Sequence, residues 1–301
     1  MSKIRIILNG KKAILDEVRE AIFASRAYGE VEVRVTFEGG DAARFVDEAI
    51  ADGCTRIVAA GGDGTVNELT NALMKSKAIT KPELAIMPLG TANDFATACQ
   101  IPSDLLKALK LAIIGSSFPV DSVQAGDDYF INVASCGFGA QVTTNTPVAL
   151  KNFIGGGAYT ISGLVQALKF EPYEGTFIIS GQEANRSIIV AAVCNGKQAG
   201  GGQELAPFAY IDDGLMDIVS FSQFARDDLQ QVLAELRDPT IKGKFIERVQ
   251  AESASWQSPA AIPINLDGEP IRTNNIDFKV HAKSINLVLP DDCPLLLKNK
   301  H

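Results

Sequence analysis

The residues best suited to chemistry fall in five short clusters built from glycine, threonine, asparagine and carboxylates. In the first, Gly61-Gly-Asp-Gly-Thr-Val-Asn-Glu68, glycines surround a single aspartate. Glycine lets a ligand approach bare backbone. A helix starting behind such a turn aims free N–H groups and its positive dipole end at an anion. Asp63 makes sense beside a phosphate when a metal ion lies between them. There is no Gly-x-x-x-x-Gly-Lys-Ser/Thr, so this is not a P-loop, and Asn67 stands where the dinucleotide fingerprint has its third glycine. Alone, the run reads equally well as a βα turn that binds nothing.

A second cluster, Pro88-Leu-Gly-Thr-Ala-Asn-Asp-Phe95, follows another apolar run. The other three lie in the second half of the chain. Asn195-Gly-Lys-Gln-Ala-Gly-Gly-Gly202 is either loose filler or a wall for a ligand. Asp212-Asp-Gly-Leu-Met-Asp217 is a solvated Asp-Gly turn or a hard-cation site completed by backbone carbonyls. Asn265-Leu-Asp-Gly-Glu269 is a tight turn, or a turn that places a carboxylate to accept a hydroxyl proton.

Composition narrows the chemistry. Only two histidines occur, His281 and the terminal His301, so a Ser-His-Asp mechanism or a histidine-rich metal site is excluded as a working reading. The general base is then a carboxylate, and a metal site is oxygen-rich, suiting Mg²⁺ or Ca²⁺. The five cysteines are scattered with no CxxC pair, as buried apolar residues in a reducing compartment. A net charge of −8 speaks against a broad nucleic-acid surface. No apolar run reaches the length of a membrane span, and a cytoplasmic protein is expected.

The elements that position these clusters follow from periodicity. Strands are expected at 4–8, 31–36, 57–60 and 84–87, and helices at 15–27, 41–51, from about 65, and 105–114. Val18, Ile22 and Phe23 should face inward in one helix, and Leu106, Leu109 and Ile113 in another. Thr65 and Glu68 fit the N-cap and N3 positions of a capping box. The alternation predicts an α/β domain with a parallel sheet. Asn9, Thr36, Asp63 to Thr65, and Thr91 to Asp94 would all stand at strand carboxyl ends, the edge where such sheets bind nucleotides. From about residue 120 the texture becomes mostly β, with helices expected at 159–168 and 227–236, so the domains are placed at 1–122 and 123–301. The last residues could pack back on the first domain. An apolar stripe at 152–170 reads as core or as a surface for lipid entry.

Together, residues 61–68 and 88–95 resemble the paired signature of the diacylglycerol kinase catalytic domain family, which includes sphingosine kinases. Residues 195–202, 212–217 and 266–269 resemble its later motifs, in order, and the whole chain is most similar to bacterial YegS-type lipid kinases. The resemblance implies a nucleotide-binding α/β domain followed by a β-sandwich-type domain, with ATP in the crevice between them. It implies nucleotide contacts from Asn9, Thr36, Gly62, Asp63, Gly64, Thr65, Val66, Asn67, Glu68, Thr91 and Asp94, the catalytic base at Glu269, and a structural Mg²⁺ site at Asp213 with backbone groups of Tyr210 and Leu215. Asn9-Gly10-Lys11-Lys12 replaces the Asn-Pro-x-Ser-Gly loop frequent in the wider family.

The implied activity is ATP-dependent phosphorylation of a lipid hydroxyl, of phosphatidylglycerol or diacylglycerol type, during transient peripheral contact with a membrane. Lys107, Lys110, Lys151 and Lys169 are candidates for meeting an anionic lipid. The alternatives are a kinase for a soluble acceptor, such as NAD or a sugar phosphate, and a nucleotide sensor without catalysis.

Overall fold

The computed structural model describes residues 3–137, 167, 168 and 170–300. The expected helix at 159–168, all but its last two residues, therefore lies outside the described residues, as do Lys151, Lys169 and most of the 152–170 stripe. The chain divides into two units, one of Met1–Ser122 with Ala282–His301, the other Val123–His281.

In the first unit, β1 (Lys3–Asn9), α1 (Asp16–Ser25), β2 (Glu30–Thr36), α2 (Asp41–Ala51), β3 (Arg56–Gly61), α3 (Asp63–Lys75) and β4 (Glu83–Pro88) alternate as the apolar periodicity dictates. Short α4 (Asp94–Ala98) and α5 (Leu105–Ile114) follow. The strands pair in parallel in the order β4-β3-β1-β2. The register sets Asn9 beside Thr36, Leu8 beside Ala60 and Gly61 beside Pro88, so all four strands end on one line. Ile4, Ile6, Val58, Ala60 and Met87 pack with Val18 and Ile22 of α1 and Leu109 and Ile113 of α5. Two inward assignments fail: Phe23 is 73% exposed and Leu106 37% exposed. Ala21, Ala108 and Ala112 fill the interface instead, because small side chains let the helices lie close to the sheet.

The second unit is antiparallel. The chain enters it along β5 (Ser117–Ala125), then forms β6 (Asp128–Phe130), β7 (Val133–Gly137), β8 (Tyr173–Ile179), β9 (Gln182–Cys194), the two-residue pair β10 (Gln198–Ala199) and β11 (Gln203–Glu204), and β12 (Met216–Ser222). After α6 (Leu229–Arg237) come β13 (Ile246–Ala251), β14 (Ser253–Leu266) and β15 (Glu269–Val288). Strand β15 runs unbroken through the apolar stretches at 276–280 and 285–288, and its end belongs to the first unit, Leu287 pairing with Leu84 of β4. Long β9 and β14 each pair with β7 along one part and β8 along another, which folds the sheet over itself. Phe130, Phe177, Ile188, Trp256, Ile262 and Phe278 fill the space enclosed. Gly175 is required there, since a Cβ would run into the Trp256 ring.

Candidate active site

The first unit gathers its predicted residues at the carboxyl ends of β1 to β4. Asn9 closes β1 and turns the chain, its Oδ1 accepting from Lys11 N at 3.1 Å. Its Nδ2 reaches the Thr65 hydroxyl at 3.5 Å. Gly10 lies so close to the Thr36 carbonyl that any side chain there would collide with it.

Helix α3 begins earlier than the capping box implies. Gly62 is the N-cap, Asp63 the first helical residue, and no side chain caps the helix. Thr65 and Val66 N–H groups donate to Gly62 O at 3.0 and 3.2 Å. Thr65 sits directly over Gly61, where a Cβ would strike its side chain. The threonine therefore points back over the strand end, and Glu68 stands exposed one turn further on. The same early start turns Val66 and Asn67 inward, each 4% exposed, and Asn67 Oδ1 accepts from Asn71 Nδ2 at 3.1 Å. Asn9, Thr36, Gly62, Asp63, Gly64, Thr65, Thr91 and Asp94 are thus brought to one edge, while Val66 and Asn67 present core-facing side chains.

The loop after β4 presses on this turn. Leu89 N donates to Gly61 O at 2.8 Å. A Cβ on Gly90 would lie 2.7 Å from the Gly62 Cα, and one on Gly62 would lie 3.0 Å from the Gly90 Cα. These two glycines are needed for backbone to meet backbone. Asn93 braces the loop from within, exchanging bonds with Gly90 N (2.8 Å) and Gly90 O (2.9 Å) from a left-handed conformation with φ 51°. The local signal for that brace is an asparagine three residues after a glycine, a residue type that tolerates the left-handed region.

Asp94, 5% exposed, starts α4. Burial first, and then the charge of Asp94, push the Asp63 pKa up, against a smaller downward pull from the backbone amides of Phe95 and Asp94. Two carboxylates in a shielded, oxygen-rich setting suit a hard divalent cation, which would offset the cost of ionised Asp63.

In the second unit, Asp213 Oδ1 accepts from Leu215 N at 3.0 Å, and Lys197 Nζ lies 5.7 Å from the centre of the Tyr210 ring. Among the described residues no three His, Cys, Asp or Glu side chains stand close enough to hold a metal. A cation held at Tyr210, Asp213 and Leu215 would therefore depend on carbonyl oxygens for most of its coordination. Asp217, on β12, has its pKa raised to about 6 by burial, with a smaller upward push from Asp213 and downward ones from Gln250 and Lys197.

Glu269 is exposed and opens β15 opposite Leu266. Between them Asp267 (φ 47°) and Gly268 (φ 104°) form a two-residue left-handed turn, the hairpin type Asp-Gly favours. Gly268 N donates to Asn265 Oδ1 at 2.7 Å. Asp267, 8% exposed, has no part in solvent chemistry: its oxygens accept from Ile131, Asn132 and Val133 N–H groups at 2.9, 3.1 and 2.7 Å. The Asp-Gly pair signalled the turn but not these long-range bonds.

Comparison with known proteins agrees with this construction. Residues 3–125 match the model of the diacylglycerol kinase catalytic domain, and residues 132–289 that of the YegS C-terminal NAD kinase beta sandwich-like domain. A protein of Shewanella frigidimarina named "Probable lipid kinase YegS-like" is 48% identical over 301 residues, 99% of this chain and 97% of its own. "Probable lipid kinase YegS" of Escherichia fergusonii is 42% identical over 97% of each chain. A crystal structure of a diacylglycerol kinase from Bacillus anthracis superposes with a TM-score of 0.75 at 22% identity, over 97% of this chain and 98% of that one, a likeness of fold. A parallel sheet with glycine turns gathered on one edge, an antiparallel β unit after it, and matches along both halves leave one conclusion: this chain belongs to the diacylglycerol kinase catalytic domain family and carries the YegS-type C-terminal domain.

Proposed function

We propose that the protein is a lipid kinase that moves the γ-phosphoryl group of ATP to a hydroxyl of a diacylglycerol- or phosphatidylglycerol-type lipid, with Mg²⁺ as the divalent cation. The observation that carries the reading is the line of strand ends Asn9, Thr36, Gly61 and Pro88, with Asp63 and Asp94 starting the helices behind it. Full-length identity of 48% to a protein named as a lipid kinase supplies the acceptor class.

The first-turn N–H groups of α3 and the positive end of its dipole hold the phosphates. Asp63 and Asp94 would hold the cation, which when bound offsets charge on the phosphate oxygens. Glu269 accepts the proton of the lipid hydroxyl. The hydroxyl oxygen bonds to the γ-phosphorus as the bond from phosphorus to the bridging oxygen breaks, and ADP leaves. With no P-loop lysine, the backbone and the cation share the neutralisation.

No described helix is long and apolar enough to cross a membrane. Contact with the bilayer is therefore proposed as peripheral and transient, from the cytoplasmic side. Exposed Lys107, Lys110 and Leu106 on α5 support it, pairing charge with apolar surface.

The test is γ-labelled ATP with a lipid panel in mixed micelles, beside a panel of soluble sugars and NAD, with Mg²⁺ and with chelator. Label in an organic-phase lipid phosphate, abolished by chelator, is expected. Label in the soluble panel alone contradicts the reading.

A further inference from the structure

Asp267 does more than its turn requires. A two-residue hairpin with both residues left-handed is served well by Asn-Gly, and asparagine tolerates that region at least as well as aspartate. Here the side chain must satisfy three backbone donors from a distant stretch. Oδ2 accepts from Ile131 N and Asn132 N, and Oδ1 from Val133 N, while Asp267 N returns a bond to Val133 O at 3.1 Å. An amide has one acceptor oxygen and would turn its NH2 toward a donor N–H. Only a carboxylate fits all three.

The stretch that Asp267 grips is itself fixed from the other side. Asn195, fully buried, donates from Nδ2 to Ile131 O at 2.7 Å. The N–H groups of Asn195 and Gly196 both reach Asn132 O, at 2.8 and 2.9 Å, and Asn132 Nδ2 donates to Gln198 O at 3.0 Å. The motifs at 195–202 and 265–269 are therefore tied through one short segment, 131–133. Two residues beyond the grip, Glu269 is exposed, on a strand anchored by Leu266 at 2% exposure.

We propose that Asp267 is a positioning residue for phosphotransfer: by locking its turn to residues 131–133 it holds the Glu269 carboxylate in one place for the acceptor hydroxyl. The inference rests on Glu269 being the base. A proton acceptor displaced by about 1 Å can cost about 100-fold in rate, so an exposed glutamate at a hairpin corner needs such a frame.

The experiment compares wild type, Asp267→Asn, Gly268→Ala and Glu269→Gln for kcat, both KM values, and ATP bound per chain. Asp267→Asn is expected to lower kcat by about 100-fold, with the KM for ATP within about two-fold and one ATP still bound per chain. A loss of kcat matched by an equal loss of ATP sites would assign Asp267 to holding the fold, and overturns positioning. If Asp267→Asn does not fold, Gly268→Ala decides: it strains a turn residue with φ 104° where a Cβ meets nothing within 4 Å, leaving the grip in place. It too should lower kcat at full ATP stoichiometry, and unchanged kcat overturns the proposal. Failure of the two ideas is separable. Wild-type kcat in Glu269→Gln sinks the base assignment and the frame with it, whereas an inactive Glu269→Gln beside a fully active Asp267→Asn sinks the frame alone.

Discussion

Asp63 and Asp94 are the first residues of two helices that start behind the neighbouring strands β3 and β4, near enough that the charge of Asp94 pushes the Asp63 pKa up. Burial and the neighbouring charge of Asp94 make the ionised form of Asp63 costly, and a cation is the simplest relief. Replacing Asp63 by Asn should raise the Mg²⁺ concentration for half-maximal turnover by about ten-fold or more. A metal titration of turnover at saturating ATP measures it, and an unshifted midpoint would remove Asp63 from the cation site.

The two site loops meet through glycines, but not symmetrically. A Cβ at Gly90 would sit 2.7 Å from both the Gly62 Cα and Asn93 Oδ1, whereas one at Gly62 meets only the Gly90 Cα closely, at 3.0 Å. Gly90→Ala should therefore weaken ATP binding more than Gly62→Ala, by about ten-fold against about three-fold. Calorimetric titration with ATP ranks them, and the reverse order would contradict this account of the turn.

Asp41 reports on the loop that follows Thr36. Its pKa is lowered from 3.8 to about 2 by the N–H of Phe37, then Arg44 and the N–H of Glu38. A depressed carboxylate adds stability that is complete above the unfolded value and disappears as pH falls through the folded one. Thermal midpoints of the wild type should thus drop between pH 4 and pH 2 more steeply than those of Asp41→Asn, a window set by the two pKa values. Parallel curves would refute it.

Glu235 of α6 is a structural counterpart in the second unit. It is 1% exposed and accepts from Lys244, Phe245 and Ile246 N–H groups, each at 2.9 Å, and from Gln231 at 3.0 Å. Burial would raise its pKa, and these donors outweigh burial and lower it. Glu235→Ala leaves the donors without their acceptor and should cost about 3 kcal/mol in urea unfolding. A loss below about 1 kcal/mol would show that water replaces the carboxylate.

The parallel sheet and the edge that gathers its turns are legible because β3 and β4 have apolar centres followed by glycine turns, at Gly61 and Gly90, the strongest local signals in the chain. Helix faces were read less well. Phe23 and Leu106 fit the period but lie at the margin of their stripes, where alanines pack better. Thr65 and Glu68 satisfy a local capping pattern, but α3 starts at Asp63, because the actual constraint is Thr65 seated on Gly61. In the antiparallel unit, the roles of Asp267 and Asn195 depend on partners more than 60 residues away, at 131–133, which no local spacing reveals.

The most direct test of the account sets wild type beside Glu269→Gln, with γ-labelled ATP and acceptor lipid, and measures ATP affinity on the same samples. The account predicts unchanged ATP affinity and a loss of label transfer to lipid of at least about 100-fold in the variant. Transfer to lipid at the wild-type rate by Glu269→Gln would contradict it.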